Sequence, residues 1–206
     1  LTRLNPVTGR ITSFTDEDGI HVSPFISKFI KNHNTGEIFI GGRKGMISFH
    51  PDNIPENKYI PPVQITGFRL HNKPVTVSDT TVLKQSITYS ERLDLDYDEN
   101  FLQFTFAAID YTNPKKNQYK YFMDGVDPDT VFAGTNRTAE YRNLRPGRYT
   151  FWVTGSNNDG LWNPEGTKLE IYIHPPWYSS NFARGSYVMI LLLMIAGYIR
   201  LRTERL

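Results

Sequence analysis

The sequence of 206 residues contains no cysteine. That absence excludes a thiol nucleophile, a disulfide framework and a Cys-ligated zinc site. It also suits a chain that folds in an oxidising compartment such as the periplasm, where stray thiols would cross-link. Neither sign of charge is in excess: 23 Lys and Arg face 21 Asp and Glu, for a net charge of +2. With no basic stripe outside the last few residues, the electrostatic footprint of a nucleic-acid binder is missing. Catalytic signatures are missing too. His21, His33, His50, His71 and His174 are scattered, none at i,i+4 spacing and none in a His-Glu-x-x-His pattern, so they read as surface or capping residues. There is no Gly-x-Ser-x-Gly elbow and no Gly-x-x-x-x-Gly-Lys-Ser/Thr phosphate loop. Asp94, Asp96, Asp98 and Glu99 alternate as calcium ligands can, but the Gly and the distant Glu of an EF-hand are absent, and the run reads as a solvated turn. No catalytic, cofactor or metal residue is assigned, and the chain is not read as an enzyme.

Aromatic residues are abundant, with twelve Tyr and thirteen Phe. Aromatic and β-branched residues favour strands, and the pattern predicts an all-β chain with one helical tail. Residues 1–53 read as short strands, Leu1–Leu4, Ile11–Thr15, Ile26–Lys31, Glu37–Ile40 and Met46–Phe49. Turns at Asn5–Gly9, Asp16–Gly19, Asn34–Gly36 and Gly41–Gly45 separate them. Leu1-Thr-Arg-Leu-Asn-Pro6 aligns with Met46-Ile-Ser-Phe-His-Pro51 at an offset of 45, the period of a propeller blade. This segment is read as the last blade of a larger array, since one blade cannot bury both faces. The chain opens on a strand with no leader pattern, and an export signal is expected upstream. Residues 54–62 are polar and Pro-containing and read as a linker.

Residues 63–174 carry the next domain. Val63–Leu70, Ile87–Tyr89, Leu93–Leu95, Phe101–Phe106, Gln118–Met123, Thr138–Tyr141, Gly147–Gly155 and Lys168–Ile173 are predicted strands, with a turn at Asn72-Lys73-Pro74. That density of short strands argues for a β-sandwich. In Gly147–Gly155, Tyr149, Phe151 and Val153 share one face, and Trp152 on the other face is read as structural. The tail differs in kind. Tyr187–Ile199 is unbroken by charge, and Arg200, Arg202 and Arg205 follow. Thirteen residues cover only about 20 Å against a hydrocarbon core of about 30 Å. Phe182 and Leu201 extend the run if Arg184 snorkels. Trp177, Tyr178, Tyr187 and Tyr198 sit where interfacial aromatics belong. Residues 182–201 are expected to be a transmembrane helix, with 202–206 the start of a cytoplasmic segment on the positive side.

Residues 101–163 carry an ordered set of motifs: Phe104-Thr-Phe-Ala-Ala-Ile-Asp-Tyr111, Pro114, Tyr119-Lys-Tyr121, Asp124-Gly125, Tyr141-Arg-Asn-Leu144, Pro146-Gly-Arg-Tyr149-Thr-Phe-Trp-Val and Asn157-Asn-Asp-Gly-Leu-Trp162. This set resembles the Y_Y_Y domain of hybrid two-component sensors. Residues 1–53, with Gly41-Gly-x-x-Gly45-Met-Ile-x-Phe-His-Pro-Asp, look like the final regulator-propeller repeat of that family. His174-Pro-Pro-Trp177 is similar to its exit toward the membrane. One departure is the loss of the Trp that the family often has near Thr130 or Val131. The resemblance implies an immunoglobulin- or fibronectin III-like sandwich in the periplasm, anchored in the bacterial inner membrane. It implies a propeller upstream that recognises an oligosaccharide, a histidine kinase downstream, and pairing of two sandwiches in a homodimer. Tyr111, Tyr119, Tyr121, Tyr141 and Tyr149 are expected as core and corner residues, with Tyr141 bonding backbone near the Leu144–Gly147 turn as a tyrosine corner does. Pro175, Pro176 and Trp177 are expected to form a rigid joint that passes movement to the helix. The alternative is a membrane-tethered, fibronectin-like module that grips carbohydrate or protein itself, using Trp152, Trp162 and Trp177.

Overall fold

Period-two alternation is converted almost directly into strands in the computed structural model, which describes residues 1–4, 6, 9, 11–15, 18, 20–21, 24–78 and 81–203. In the first segment β1 (Thr2–Leu4) pairs antiparallel with β2 (Ile11–Ser13), and β3 (Phe25–Lys31), β4 (Ile38–Gly42) and β5 (Gly45–Phe49) form an antiparallel meander. The two halves of the 45-residue repeat are both strands, β1 in one sheet and β5 in the other. Leu4, Ile11, Phe29, Ile30 and Met46 are all more than half exposed, so these strands leave apolar side chains uncovered. The turns predicted at Asn5–Gly9 and Asp16–Gly19 lie partly outside the described residues.

Residues 63–173 form two packed sheets. Strands β6 (Val63–Leu70), β7 (Lys73–Pro74), β9 (Leu102–Ala108) and β12 (Thr138–Tyr141) make a four-stranded sheet in the order β12-β9-β6-β7. The other sheet has five strands, β8 (Arg92–Leu95), β10 (Tyr119–Met123), β11 (Val131–Gly134), β13 (Gly147–Gly155) and β14 (Thr167–Ile173), in the order β11-β10-β13-β14-β8. All pairings are antiparallel except β14 with β8. Each inner face repeats at period two: Leu102, Phe104, Phe106 and Ala108 on β9 are buried, as are Leu169, Ile171 and Ile173 on β14. The sheets meet through stacked rings. Phe104 lies on Phe68 at 5.3 Å and on Phe151 at 4.6 Å, joining β6, β9 and β13. Such pairs contribute about 0.5–1.5 kcal/mol each beyond the area they bury.

Three local expectations change. Ile87–Tyr89 is a 3-10 turn, not a strand. Ile87 is buried and Thr88 Oγ1 donates to Ile65 O at 3.1 Å, so the segment plugs the side of β6. The turn placed at Asn72-Lys73-Pro74 is centred one residue earlier. His71 and Asn72 take φ of 48° and 64°, while Lys73 and Pro74 already pair with Leu70 and Arg69. Strand β11 went unpredicted because it is a short edge strand with little buried surface.

The chain ends in a helix, α1 (Asn181–Thr203), of 23 residues. Ser180 caps it, its Oγ accepting Ala183 N–H at 3.2 Å. Among the described residues no helix is long and apolar enough to cross a membrane. Arg184, Gly185 and Ser186 near the start and Arg200 near the end confine the apolar run to the middle of α1. The expected span over residues 182–201 is thus present as helix but falls short of those criteria. Residues 204–206, including Arg205, lie outside the described residues.

Replacing Phe104, which is fully buried, by Ala should remove both ring stacks and leave a cavity. The expected loss is about 3–5 kcal/mol, a large share of the total stability of an ordinary domain. A urea titration followed by tryptophan fluorescence would show it as a lowered midpoint.

Candidate functional site: the two joints of the sandwich

Strands β6 and β14 run in the same direction through the sandwich, β6 receiving the chain at one end and β14 releasing it at the other. The entry end is polar. Among the described residues the buried polar side chains are Asp110, Asn113, Asn117, Thr154, Ser156 and Asn157, and all gather at this end. They hold the segment before β6. Asn157, fully buried, donates from Nδ2 to Asn57 O at 2.6 Å and to Tyr59 O at 2.9 Å. Its Oδ1 accepts the N–H groups of Asp159 and Leu161 at 3.0 and 2.9 Å. Asn163 Nδ2 donates to Pro61 O at 2.9 Å. Asn57 answers in kind: its N–H donates to Asp159 Oδ2 at 2.7 Å, and its Nδ2 to Asp110 Oδ2 at 2.9 Å and Asn158 Oδ1 at 2.8 Å. The segment read as a linker is a strap pinned along its length. Extended backbone outside a sheet needs such partners once it is taken from water.

A second set of contacts ties the first segment to the same end. Lys116 Nζ pairs with Asp18 Oδ2 and donates to Ser13 O at 2.7 Å, and Asn113 Nδ2 donates to Asp18 Oδ1 at 3.1 Å. Burial pushes the Asp18 carboxyl up, but the bonds from Lys116, Thr15 and Asn113 outweigh it and hold the group below its usual value. Arg3 and Glu56 add an outer ion pair at 2.9 Å.

The five tyrosines divide. Tyr119 is fully buried, and its hydroxyl accepts Ala108 N–H at 3.2 Å. Tyr121 is half-buried on the same face; its ring meets Tyr141 edge-on at 6.3 Å and Phe106 at 6.0 Å. Tyr141 donates to Asp127 Oδ2 at 2.6 Å, and the same oxygen accepts Met123 N–H at 2.7 Å. The Tyr141 hydroxyl is thus given to a carboxylate at the neighbouring turn and not to the backbone bond expected of it. It is Tyr149 that makes the corner bond, donating to Arg145 O at 2.8 Å. Burial first, and then the bond and charge of Asp127, push the Tyr141 hydroxyl far above its ordinary value. Tyr121 moves the same way, by burial and then by the Asp127 charge. Tyr111 departs from expectation: it is 84% exposed on the loop after β9 and belongs to no core.

The exit end is sparser. His174 N–H donates to Leu95 O at 2.8 Å, carrying the β14–β8 register one residue past β14. Its ring lies edge-on to Tyr172 at 4.4 Å, 3.7 Å from Asp94 Oδ1. Pro175 is exposed, and Pro176, at φ −62°, opens a 3-10 turn over Trp177–Ser179. Pro176 O accepts both the N–H and the Oγ of Ser179 at 2.9 Å. The structure thus brings Pro175, Pro176 and Trp177 together as a short connector, and it keeps them apart from the tyrosines. The acids of residues 94–99 are engaged locally. Asp94 pairs with Arg92 at 2.7 Å and Glu99 accepts Asp96 N–H at 2.9 Å. Sequence reasoning missed Asn57, Asn157, Asn163, Asp110 and Asp127. Asn157 stood in a quoted motif, but its partners lie about 100 residues away, and nothing local points to them.

Residues 110–174 match the model of the Y_Y_Y domain. A curated relative, Histidine kinase P4 of Formosa agariphila, is 35% identical over 181 residues, 87% of this chain and 13% of that protein. The extracellular domain of a putative hybrid two component system from B. thetaiotaomicron superposes with a TM-score of 0.64 at 26% identity, covering 82% of this chain and 23% of the other. The extracellular domain of a putative one component system from the same organism shares the fold, with a TM-score of 0.54 at 21% identity over 85% of this chain and 23% of the other. The chain therefore spans a small part of each of these proteins.

Asn157→Ala should unpin the strap. Hydrogen exchange should speed at the amides of Asn57, Asp159 and Leu161 while β9 stays protected, with a stability loss of about 2–4 kcal/mol for the buried groups left unpaired. The raised Tyr141 hydroxyl gives a second test. Its stabilising share is complete below the unfolded value near 10 and is lost as pH rises above it, because only the unfolded chain then ionises. Stability should fall by up to about 1.4 kcal/mol per pH unit from this group. Urea midpoints measured between pH 9 and 11.5 should fall less steeply in Tyr141→Phe than in the parent.

Proposed function

We propose that this chain, which carries a Y_Y_Y domain over residues 110–174, is the sensor region of a hybrid two-component histidine kinase, and that its sandwich is the rigid relay between a ligand-recognising propeller and a membrane-anchored output helix. The observation that carries this reading is the contrast between the two joints. The entry strap is held by buried amides and an ion pair, so the first segment and the sandwich are tied as one body. The exit is a short Pro-Pro connector, with Pro175 and Trp177 exposed and Pro176 half-buried, leading directly into α1. Movement at the entry has no compliant element to dissipate in until it reaches the connector.

On this reading residues 1–53 are the last repeat of a propeller whose other repeats precede Leu1, and the ligand is an oligosaccharide bound there. The sandwich lies in the periplasm and pairs with its twin, and α1 enters the inner membrane. The support for α1 as an anchor is its exposed middle: Val188 to Ile195 are each about half exposed or more. A helix apolar on every side is stable in a core or in lipid, not in water. A kinase beyond residue 206 would receive the displacement. Ligand can act only through unequal affinity for two arrangements of the pair.

The other reading, a tethered carbohydrate-binding module, gains little from the aromatic residues. Trp152 is partly covered and donates to Glu165 O at 2.9 Å, Trp162 stacks under Lys120 at 4.2 Å at the entry end, and Trp177 stands at the exit end. They share no platform for a sugar ring. Oligosaccharide binding by isolated residues 63–174 would revive that reading.

The relay is tested in the intact receptor. Pro175→Gly together with Pro176→Gly should leave ligand affinity unchanged and abolish ligand-stimulated autophosphorylation, because φ at the connector is freed. Normal stimulation in that double variant would sink the proposal.

A further inference from the structure

The exit end carries an aromatic group that the relay does not use. Tyr97 stands in the turn between β8 and β9, which Asp96 and Glu99 close on themselves: Asp96 N–H donates to Glu99 Oε2 at 2.9 Å, and Glu99 N–H to Asp96 O at 3.0 Å. His71 Nε2 lies 3.0 Å from Asp98 O and braces the turn against the β6–β7 corner. Because β8 and β14 are parallel and in register to Leu95 and Ile173, this turn emerges beside the connector. The Tyr97 ring meets Tyr178 edge-on at 6.3 Å, and Tyr178 meets Trp177 in the same way at 5.9 Å. None of the three is buried, and Trp177 is 76% exposed. Phe182, in the first turn of α1, is 87% exposed.

Large aromatic side chains with a polar tip, left open beside an apolar helix, have the composition of the layer where lipid headgroups meet hydrocarbon. Phe182 to Arg200 spans about 27 Å of helix, close to the hydrocarbon thickness of about 30 Å. That places Trp177, Tyr178 and Tyr97 together at one boundary. We propose that the Tyr97 turn is a membrane-seating loop, which holds the end of the sandwich on the headgroup layer of a weakly charged bilayer. The inference rests on the reading that α1 anchors the chain, and it adds a second contact from a separate part of the fold. With one contact, at the connector, the sandwich could tilt about α1; with a second, at Tyr97, its tilt is set. Asp96, Asp98 and Glu99 flank the ring and oppose approach to anionic lipid.

The absence of cysteine makes the test direct, since single labels can be introduced without background. The full chain is reconstituted in phosphatidylcholine vesicles with a fluorophore on Asp98→Cys, on Leu192→Cys in mid-helix, or on Thr135→Cys away from this end. Headgroup-attached nitroxide should quench the label at 98 at least twofold more than that at 135, and mid-chain nitroxide should quench the label at 192. Adding Tyr97→Ser should reduce quenching at 98 to the level at 135 without altering 192, and Tyr97→Trp should preserve it. Raising phosphatidylglycerol to half of the lipid should weaken quenching at 98 only. Quenching at 192 with none above background at 98 would overturn the seat and leave the anchor standing. A label at 192 that is not quenched would overturn the anchor and the seat with it.

Discussion

Of the bonds that join the chain before β6 to the sandwich, the most deeply buried are those of one carboxamide. Asn157 is fully buried, and both hydrogens and both lone-pair sites of its side chain are used, two bonds to the strap and two to its own turn. That is the full capacity of the group. An apolar residue of similar size there would leave two carbonyls and two amides without these partners, at about 1–3 kcal/mol for each that water does not reach. The strap therefore has one conformation because the turn 157–161 has one, and each is held by the other. Buried polar groups that are fully satisfied specify a structure more sharply than apolar contacts do, since an apolar surface tolerates sliding and a hydrogen bond does not.

The sandwich itself divides the work in the same manner. Its middle is apolar and aromatic, with Phe68, Phe104 and Phe151 stacked across the two sheets. Its entry end is amide and carboxylate. Its other end is closed by Asp127, which takes the Tyr141 hydroxyl and the Met123 amide on a single oxygen. The tyrosines that mark the sequence are thus ties between the apolar middle and the polar edges. Tyr119 reaches Ala108 N–H near the entry, Tyr141 reaches Asp127 and Tyr149 reaches Arg145 O at the far end. Each brings a large ring to the core and a hydroxyl to a backbone or carboxylate partner that would otherwise be lost to solvent.

Most of the strand positions were legible because their alternation is local. Val63–Leu70, Thr138–Tyr141 and Gly147–Gly155 come out with the bounds the pattern gives. The misreadings share a cause. Ile87–Tyr89 has strand-forming residues but is bent into a turn by what it packs under, and Val131–Gly134 is too short and open to leave a pattern. The candidate site was legible in part. Tyr119, Tyr121, Tyr141 and Tyr149 lie in or against the core, but the corner bond is made by Tyr149 and not by Tyr141, and Tyr111 is on the surface. The strap was not legible. Its polar, Pro-containing composition is that of a flexible linker, and what makes it rigid is a set of partners about 100 residues away, at 157–163.

The difference in stiffness between the joints bears on where a signal could change the shape of the chain. Coupling between a ligand site and a remote output is typically worth about 1–3 kcal/mol. Opening the strap would break the Asn157, Asn163 and Asn57 bonds together, and deforming the sandwich would unstack its central rings. Either costs more than such a coupling supplies. The connector asks for less: Pro175 and Trp177 are exposed, and among the described residues the segment is held mainly by the Ser179 bonds to Pro176 O and the helix cap at Ser180. On the proposed relay, a ligand-driven rearrangement would leave the strap and the core as they are and appear as a change in the angle between sandwich and helix. The two prolines, with φ fixed by their rings, limit how far that angle can relax. On that reading, displacement delivered at the strap would reach α1 as a change in this angle.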